Sequence, residues 1–464
     1  MRSLAASAAP PAIAIPVAAA LTLAGGKGTL VAAAALLTLV GALLPCRIVV
    51  RLVLIASALT YFKLPIQGVN LRLDMALAPS ALISATRDPH LSAALHRWLR
   101  HPVLRLLGLL VALEAVTSLR SAPDVAKSER IVVWMAANLV LLLVCLAYFE
   151  VSRTDATRAL LAIGMGVVVI GLVGWLLDRQ GLPSWGVAQL DNTGLRRARG
   201  VALEPNILAG IATLCSVILL VRRRRIGRGW VLIVLSLAVI PLTGTRTAFI
   251  ALPVGLVAVA ARSGPRYWLR LAHIGLALAA AAGVLSMFAY SLVRPFFDKL
   301  GSIRFHDDNS VVRYRSWSLA IHDLHGTDWL TGLGTNSFGQ RHLDPTTVYL
   351  SNPQPGYIGA LPLQLLYEVG IIGLIVAGAV VWKLLSIAPS REARIRWVGA
   401  LLSFLVVSSS TSPFYFAYFW LLVIPALLAS QSEPDAPPVP SASRRIQRPG
   451  AVHAQSASLA ASGR

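Results

Sequence analysis

IVVWMAANLVLLLVCLAYF, residues 131–149, is an apolar run without a single charged side chain. As an α-helix rising 1.5 Å per residue it reaches about 29 Å, the thickness of a bilayer's hydrocarbon core. Its plain reading is a membrane span. Further apolar runs fall near residues 12–25, 29–45, 48–64, 73–86, 103–118, 158–177, 201–221, 229–243, 246–261, 270–293, 359–384, 396–410 and 413–430. The run at 73–86 is the weakest, because it carries Asp74 and Pro79. Several others are short or interrupted, and the set predicts about 12–14 spans at roughly 20 residues each. Of the 464 residues 56% are apolar and 13% charged, and the mean hydropathy is +0.69. These values exclude a soluble globular class. Unbroken rather than alternating runs exclude an outer-membrane barrel. The predicted fold class is an all-α integral membrane protein, a polytopic bundle of transmembrane helices with one large periplasmic loop. Met1 to about Ala20 resembles a signal peptide, but further spans follow directly, so it is read as a retained first helix.

The formal net charge of +22 would suggest nucleic acid in a soluble protein. Here the arginines cluster in short turns: Arg222–Arg225 with Arg228; Arg262, Arg266 and Arg270; Lys383, Arg391, Arg394 and Arg396; and the loop 87–102 with Arg87, Arg97 and Arg100. By the positive-inside rule these turns are cytoplasmic, as are both termini, and the excess charge reflects topology. No nucleic-acid partner is expected. Cys46, Cys145 and Cys215 have no paired spacing, so neither a disulfide framework nor a metal site is expected.

Three regions are left outside: 178–200, the turn Thr243-Gly244-Thr245-Arg246-Thr247, and the connection 294–358, far longer than an ordinary helix-to-helix loop. Arg196, Arg197 and Arg199 break the charge rule there, and arginine on the translocated side calls for an anionic partner. Guanidinium groups are planar, bidentate and always charged, which suits diphosphate oxygens and needs no metal or cofactor. Arg197, Arg246 and Arg313 are the candidate clamp, with Arg199 and Arg315 in support and Asn206 beside them at the Glu204-Pro205-Asn206 break. Trp317, Ala320, Ile321 and Leu324 recur at helical spacing, predicting an amphipathic helix on the outer membrane surface, with Trp317 against lipid or sugar. Glu368 is a carboxylate inside an apolar helix and a candidate substrate-binding group. Plainer roles stay open: an external arginine can anchor headgroups, Glu368 can hold a neighbouring helix, Gly332 and Gly334 can permit a turn, and Pro205 can break a helix. The expected organisation is 1–190, N-terminal spans; 191–293, central spans with the external arginines; 294–358, the periplasmic loop; 359–430, C-terminal spans; and 431–464, a disordered cytoplasmic tail.

In their order along residues 190 to 385, these motifs resemble those of the O-antigen ligase and O-antigen polymerase superfamily of bacterial inner membranes. Arg197, Gly200, Pro205, Asn206 and Ala209 are similar to its first motif, and Thr245-Arg246-Thr247-Ala248 to its Ser-Arg-Gly turn. Arg313, Trp317, Gly332, Gly334, Ser337 and Phe338 resemble its third, and Glu368, Gly370 and Gly373 its Glu-x-Gly-x-x-Gly helix. The resemblance implies a metal-independent glycosyltransferase facing the periplasm. Its donor would be an undecaprenyl-diphosphate-linked glycan and its acceptor a glycan or lipid A core hydroxyl. Membrane lipids and a chain-length regulator would be its other partners. The family's usual His-Asn pair would fall at Gly359-Ala360, neither of which accepts a proton. His342, with Asp344 nearby, is the replacement candidate, and His306, Asp307 and Asp308 are more remote ones. This departure tilts the expectation towards a polymerase in O-antigen or exopolysaccharide assembly rather than a ligase. Other classes that the hydropathy permits are a transporter or flippase for a lipid-linked or anionic substrate, and a structural membrane subunit.

Overall fold

The computed structural model describes residues 38–39, 41, 43–61, 63–66, 69–182, 187–189, 196–221, 229–265, 267–269, 271–273, 275–276, 308–342, 358–387, 391–409 and 415–431. Most of the expected spans at 12–25, 29–45 and 270–293, the turn Arg222–Arg228, His306, Asp307 and Asp344, and the tail after Gln431 lie outside the described residues, as does the side chain of Asp308.

The described residues are helical nearly throughout. In order come α1 (Cys46–Ala58), strands β1 (Lys63–Ile66) and β2 (Val69–Arg72), α2 (Leu73–Thr86), α3 (Pro89–Leu99), α4 (Pro102–Ser121), α5 (Val125–Ser152) and α6 (Ala156–Arg179). Strands β3 (Val187–Gln189) and β4 (Arg196–Ala198) lead to α7 (Pro205–Val221), α8 (Gly229–Leu242) and α9 (Arg246–Ser263). The long connection contributes α10 (Asp308–Asp323), α11 (Asp328–Thr331) and α12 (Ser337–His342), and α13 (Leu361–Ser386), α14 (Arg391–Ser408), α15 (Ala417–Leu421) and α16 (Ile424–Gln431) complete the bundle. Each strand pair is a two-stranded antiparallel hairpin. This is an all-α polytopic membrane protein with two small β-hairpins.

Helix starts follow from aspartates placed just outside apolar runs. Asp88 accepts from the backbone N–H of His90 at 2.9 Å, Asp124 from Lys127 at 3.1 Å and Asp155 from Arg158 at 2.9 Å, satisfying amides that the first turn leaves unpaired. Among the described residues, five helices, α4, α5, α6, α9 and α13, are long and apolar enough to cross a bilayer; α2, α7, α8, the C-terminal part of α14 and the α15–α16 segment are shorter apolar helices. The quoted run is the central pillar. Its Met135, Leu141, Leu142 and Leu146 are fully buried in the largest apolar cluster, together with residues of α1, α3, α6, α7 and α15. Val116, Val133, Val173 and Ile375 are exposed on the outer sides of their helices, as expected where the surroundings are hydrocarbon rather than water.

Hydrogen bonds sort the connections onto two ends of the bundle. At one end, the Tyr61 amide donates to the Val201 carbonyl at 2.9 Å and the Leu203 amide to Thr60 Oγ1 at 2.9 Å, joining the first hairpin to the segment before α7. The Asp124 amide donates to Gln340 Oε1 at 2.7 Å, joining the α4–α5 turn to α12. This is the loop end. At the other lie the α3–α4 region and the α5–α6 turn, where Arg97 pairs with Glu150 at 2.6 Å.

Candidate functional site

Two helices begin side by side at the loop end, and one arginine ties them. Strand β4 is fixed on the end of α6: Arg196 pairs with Asp178 at 2.7 Å, and its carbonyl accepts from Trp175 Nε1 at 3.1 Å. The next residue projects differently, as strand alternation requires. Arg197 Nε donates to the Thr243 carbonyl at 2.5 Å, and its Nη2 donates to Asn206 Oδ1 and Thr245 Oγ1, both at 3.1 Å. Thr245 Oγ1 in turn donates to Asn206 Oδ1 at 3.0 Å. Asn206 is the second residue of α7, and Thr245 stands immediately before Arg246, the first residue of α9. Helix N-termini carry partial positive charge and amides that face outward, so two of them flanked by Arg197 and Arg246 favour an anion. Arg199 lies over the Tyr61 ring at 4.3 Å, on the hairpin side of the same region.

A second constellation is the docking of the long connection onto α13. That helix is broken at Gly370, whose φ of 66° and ψ of −167° are non-helical. A break frees the carbonyls of the preceding turn, and the loop supplies their donors: the Leu333 amide to Tyr367 O at 2.7 Å and the Gly334 amide to Glu368 O at 3.0 Å. Gly332 has a φ of 76°, and a β-carbon there would fall 2.3 Å from the Glu368 carbonyl oxygen. A β-carbon on Gly370 would fall 2.3 Å from the Leu330 backbone. Only glycine permits both the dihedrals and this approach. The other side of the loop bonds to α4 and α5: the Thr335 amide donates to Ser118 Oγ at 3.0 Å, Thr335 Oγ1 to Glu114 Oε2 at 2.5 Å, and Ser128 Oγ to the Thr335 carbonyl at 2.6 Å.

Glu368 completes this dock. Its Oε1 accepts from the Asn336 amide at 2.8 Å, from Gln364 Nε2 at 3.0 Å and from Tyr415 Oη at 2.9 Å. The Tyr415 carbonyl accepts from Arg72 and, at 3.2 Å, from Asn138 Nδ2, while Arg72 also pairs with buried Asp74. The described partners of Glu368 are protein groups that hold the loop.

A third cluster joins α10, α12 and α13. His342 Nε2 lies 2.5 Å from Asp323 Oδ2, and the Tyr367 hydroxyl donates to the same oxygen at 2.7 Å. The Phe338 ring packs on His342 at 4.7 Å and, edge-on, on Tyr367 at 5.4 Å. Beneath them lies an apolar cluster of Ala320, Leu324, Leu333, Phe338, Ile358 and Tyr367.

The structure thus brings Arg197, Asn206 and the start of α9 with Arg246 together. Arg313, half-buried, and Arg315, exposed, stand on α10, and no described hydrogen bond or ion pair joins either of them to the Arg197 junction. The expected surface helix needs correction: α10 is a helix, but its Ala320 and the following Leu324 are buried against protein, whereas Ile321 is 49% exposed. Trp317 Nε1 donates to the Ile358 carbonyl at 3.0 Å and so braces the loop internally. Gly359 and Ala360 are buried beside Ile358. Sequence reasoning named Thr245 only as part of a motif, without a role, and missed Asp323, Tyr367, Tyr415 and the Arg72–Asp74 pair. For the last, the signal was present in the charge that weakened the 73–86 run.

Below these clusters an apolar cavity of about 380 Å³ runs between helices. Its walls include Leu110 of α4, Ile218 of α7, Leu365 and Val381 of α13, Phe404 of α14 and Phe419 of α15. Residues 231–378 match the model of a protein family described as O-antigen ligase, a segment that contains Arg246, Arg313, His342 and Glu368. No curated protein matches the chain.

Proposed function

We propose that this chain, whose residues 231–378 match the O-antigen ligase family model, is a member of the O-antigen ligase/polymerase superfamily and transfers a glycan from undecaprenyl diphosphate to an acceptor hydroxyl at the periplasmic side of a bacterial inner membrane. The observation that carries this reading is the junction of Arg197, Asn206 and Thr245 between two helix N-termini. Arg197 and Arg246 hold the diphosphate there, Arg313 reaches it from α10 with Arg315 in support, and Arg199 lines the approach. As the anomeric carbon–oxygen bond breaks, negative charge grows on the departing diphosphate, and guanidinium groups already in place stabilise it. The apolar cavity between α4, α7, α13, α14 and α15 accommodates part of the polyprenyl chain. The acceptor is a second lipid-linked glycan, which makes the protein a polymerase of O-antigen or exopolysaccharide; release of lipid A core product instead would make it a ligase.

The test is release of undecaprenyl diphosphate from a defined lipid-linked repeat by the purified protein. We expect turnover that EDTA leaves unchanged and that Arg197→Ala or Arg313→Ala abolishes with membrane insertion intact. Normal glycan ladders from both variants would refute the clamp. The break in α13 is the feature that would suit a transporter. That reading expects lipid-linked repeats trapped inside when the protein is lost, whereas transfer expects them to accumulate outside.

A further inference from the structure

We propose that His342 is the proton acceptor for the incoming hydroxyl and that Asp323, steadied by Tyr367, is its positioning residue; this rests on the transfer reading above. Three elements fix the imidazole. Asp323 at the end of α10 engages Nε2 at 2.5 Å, Phe338 of α12 packs on the ring at 4.7 Å, and Tyr367 of α13 donates to the same carboxylate oxygen at 2.7 Å. A carboxylate on Nε2 selects the tautomer with its proton there, which leaves the Nδ1 lone pair to accept. The His342 side chain is 24% exposed and that of Asp323 17%, so the pair is sheltered yet reachable by a solute. A merely structural cross-link over an apolar cluster does not need an ionisable pair, since an amide would serve. Asp323 and Arg313 share α10, ten residues apart, about 15 Å along the axis. One element therefore carries both the positioning carboxylate and a phosphate-directed arginine.

In the step itself, Nδ1 takes the proton of the acceptor hydroxyl and the oxygen attacks the anomeric carbon. The bond from that carbon to the diphosphate oxygen breaks, and its electron pair leaves with the lipid diphosphate. The imidazolium then returns its proton to water.

The experiment uses the full chain in nanodiscs with a lipid-diphosphate-linked glycan as donor and a second glycan as acceptor. We expect His342→Ala and His342→Gln to lower kcat about 100-fold or more while donor KM stays within about threefold. Asp323→Asn should fall in the same way, Asp323→Glu should recover part of the rate, and Tyr367→Phe should lose less. Added imidazole should restore part of the His342→Ala rate, but not that of the variant that also carries Asp323→Asn. His342→Gln guards against misfolding, because its amide can still donate to Asp323. Transfer by His342→Gln at near the unmodified rate, or imidazole rescue independent of Asp323, overturns the pair while leaving the transfer reading standing. An unmodified protein that releases no lipid diphosphate overturns both.

Discussion

Arg197 shows how much one side chain does at this site. Its guanidinium fork meets a carbonyl, an amide oxygen and a hydroxyl from two separate segments, an arrangement that an ammonium on a flexible stem does not reproduce. Arg197→Lys is therefore expected to behave almost as Arg197→Ala, with glycan transfer reduced about 10-fold or more, even though the charge is kept. Asn206→Leu removes the oxygen that both Arg197 and Thr245 use, leaving two donors without it at a cost of about 1–3 kcal/mol. Its expected signature is weaker donor binding, read as a raised KM, in protein that still inserts normally. The sequence exposed Arg197, because it falls on the side that the positive-inside pattern leaves poor in arginine. Thr245 carried no such signal, since a threonine in a turn is unremarkable until its hydroxyl is seen to bridge Arg197 and Asn206. Asp323 was equally silent: its meaning depends on His342 and Tyr367, which lie 19 and 44 residues further along the chain.

At the scale of elements, Gly332, read in sequence as a possible turn-former, and Gly370, read as part of the Glu-x-Gly-x-x-Gly helix, turn out to be two halves of one joint. Gly332 and Gly370 face each other across backbone too close for any side chain, so Gly332→Ala or Gly370→Ala should prevent the loop from docking. The expected readout is loss of monodisperse protein after detergent extraction; normal yield and melting temperature would show that the joint is dispensable. Glu368→Ala tests the same joint more gently. It removes the acceptor for Asn336, Gln364 and Tyr415, with an expected destabilisation of about 2–3 kcal/mol and a lower Tm. Helical periodicity predicted α10 correctly but not what covers it. An amphipathic pattern records that one side is apolar, and is the same whether that side meets lipid or, as here, Phe338 and Tyr367.

At the scale of the whole molecule, hydropathy made the fold class legible, because that signal is local. The break in α13 and the relay from Arg72 through Tyr415 to Glu368 were not, because they join residues outside any local window, 343 positions apart for Arg72 and Tyr415 and 47 for Tyr415 and Glu368. The arrangement of ends predicts that, in a variant lacking native cysteines, a cysteine at Arg196 is labelled in intact spheroplasts by a membrane-impermeant thiol reagent, and one at Arg97 only after lysis. Equal labelling of the two would contradict the topology. The joint at Gly370 also constrains biogenesis. In the proposed topology residues 332–336 must first cross the membrane; until they have done so and docked, the carbonyls of Tyr367 and Glu368 lack those amide partners, and hydrocarbon offers no substitute. On that topology, insertion of α13 and arrival of the loop form a single maturation event, so a nascent chain stalled before it should be open to added protease and to quality-control degradation, whereas the mature protein should resist both.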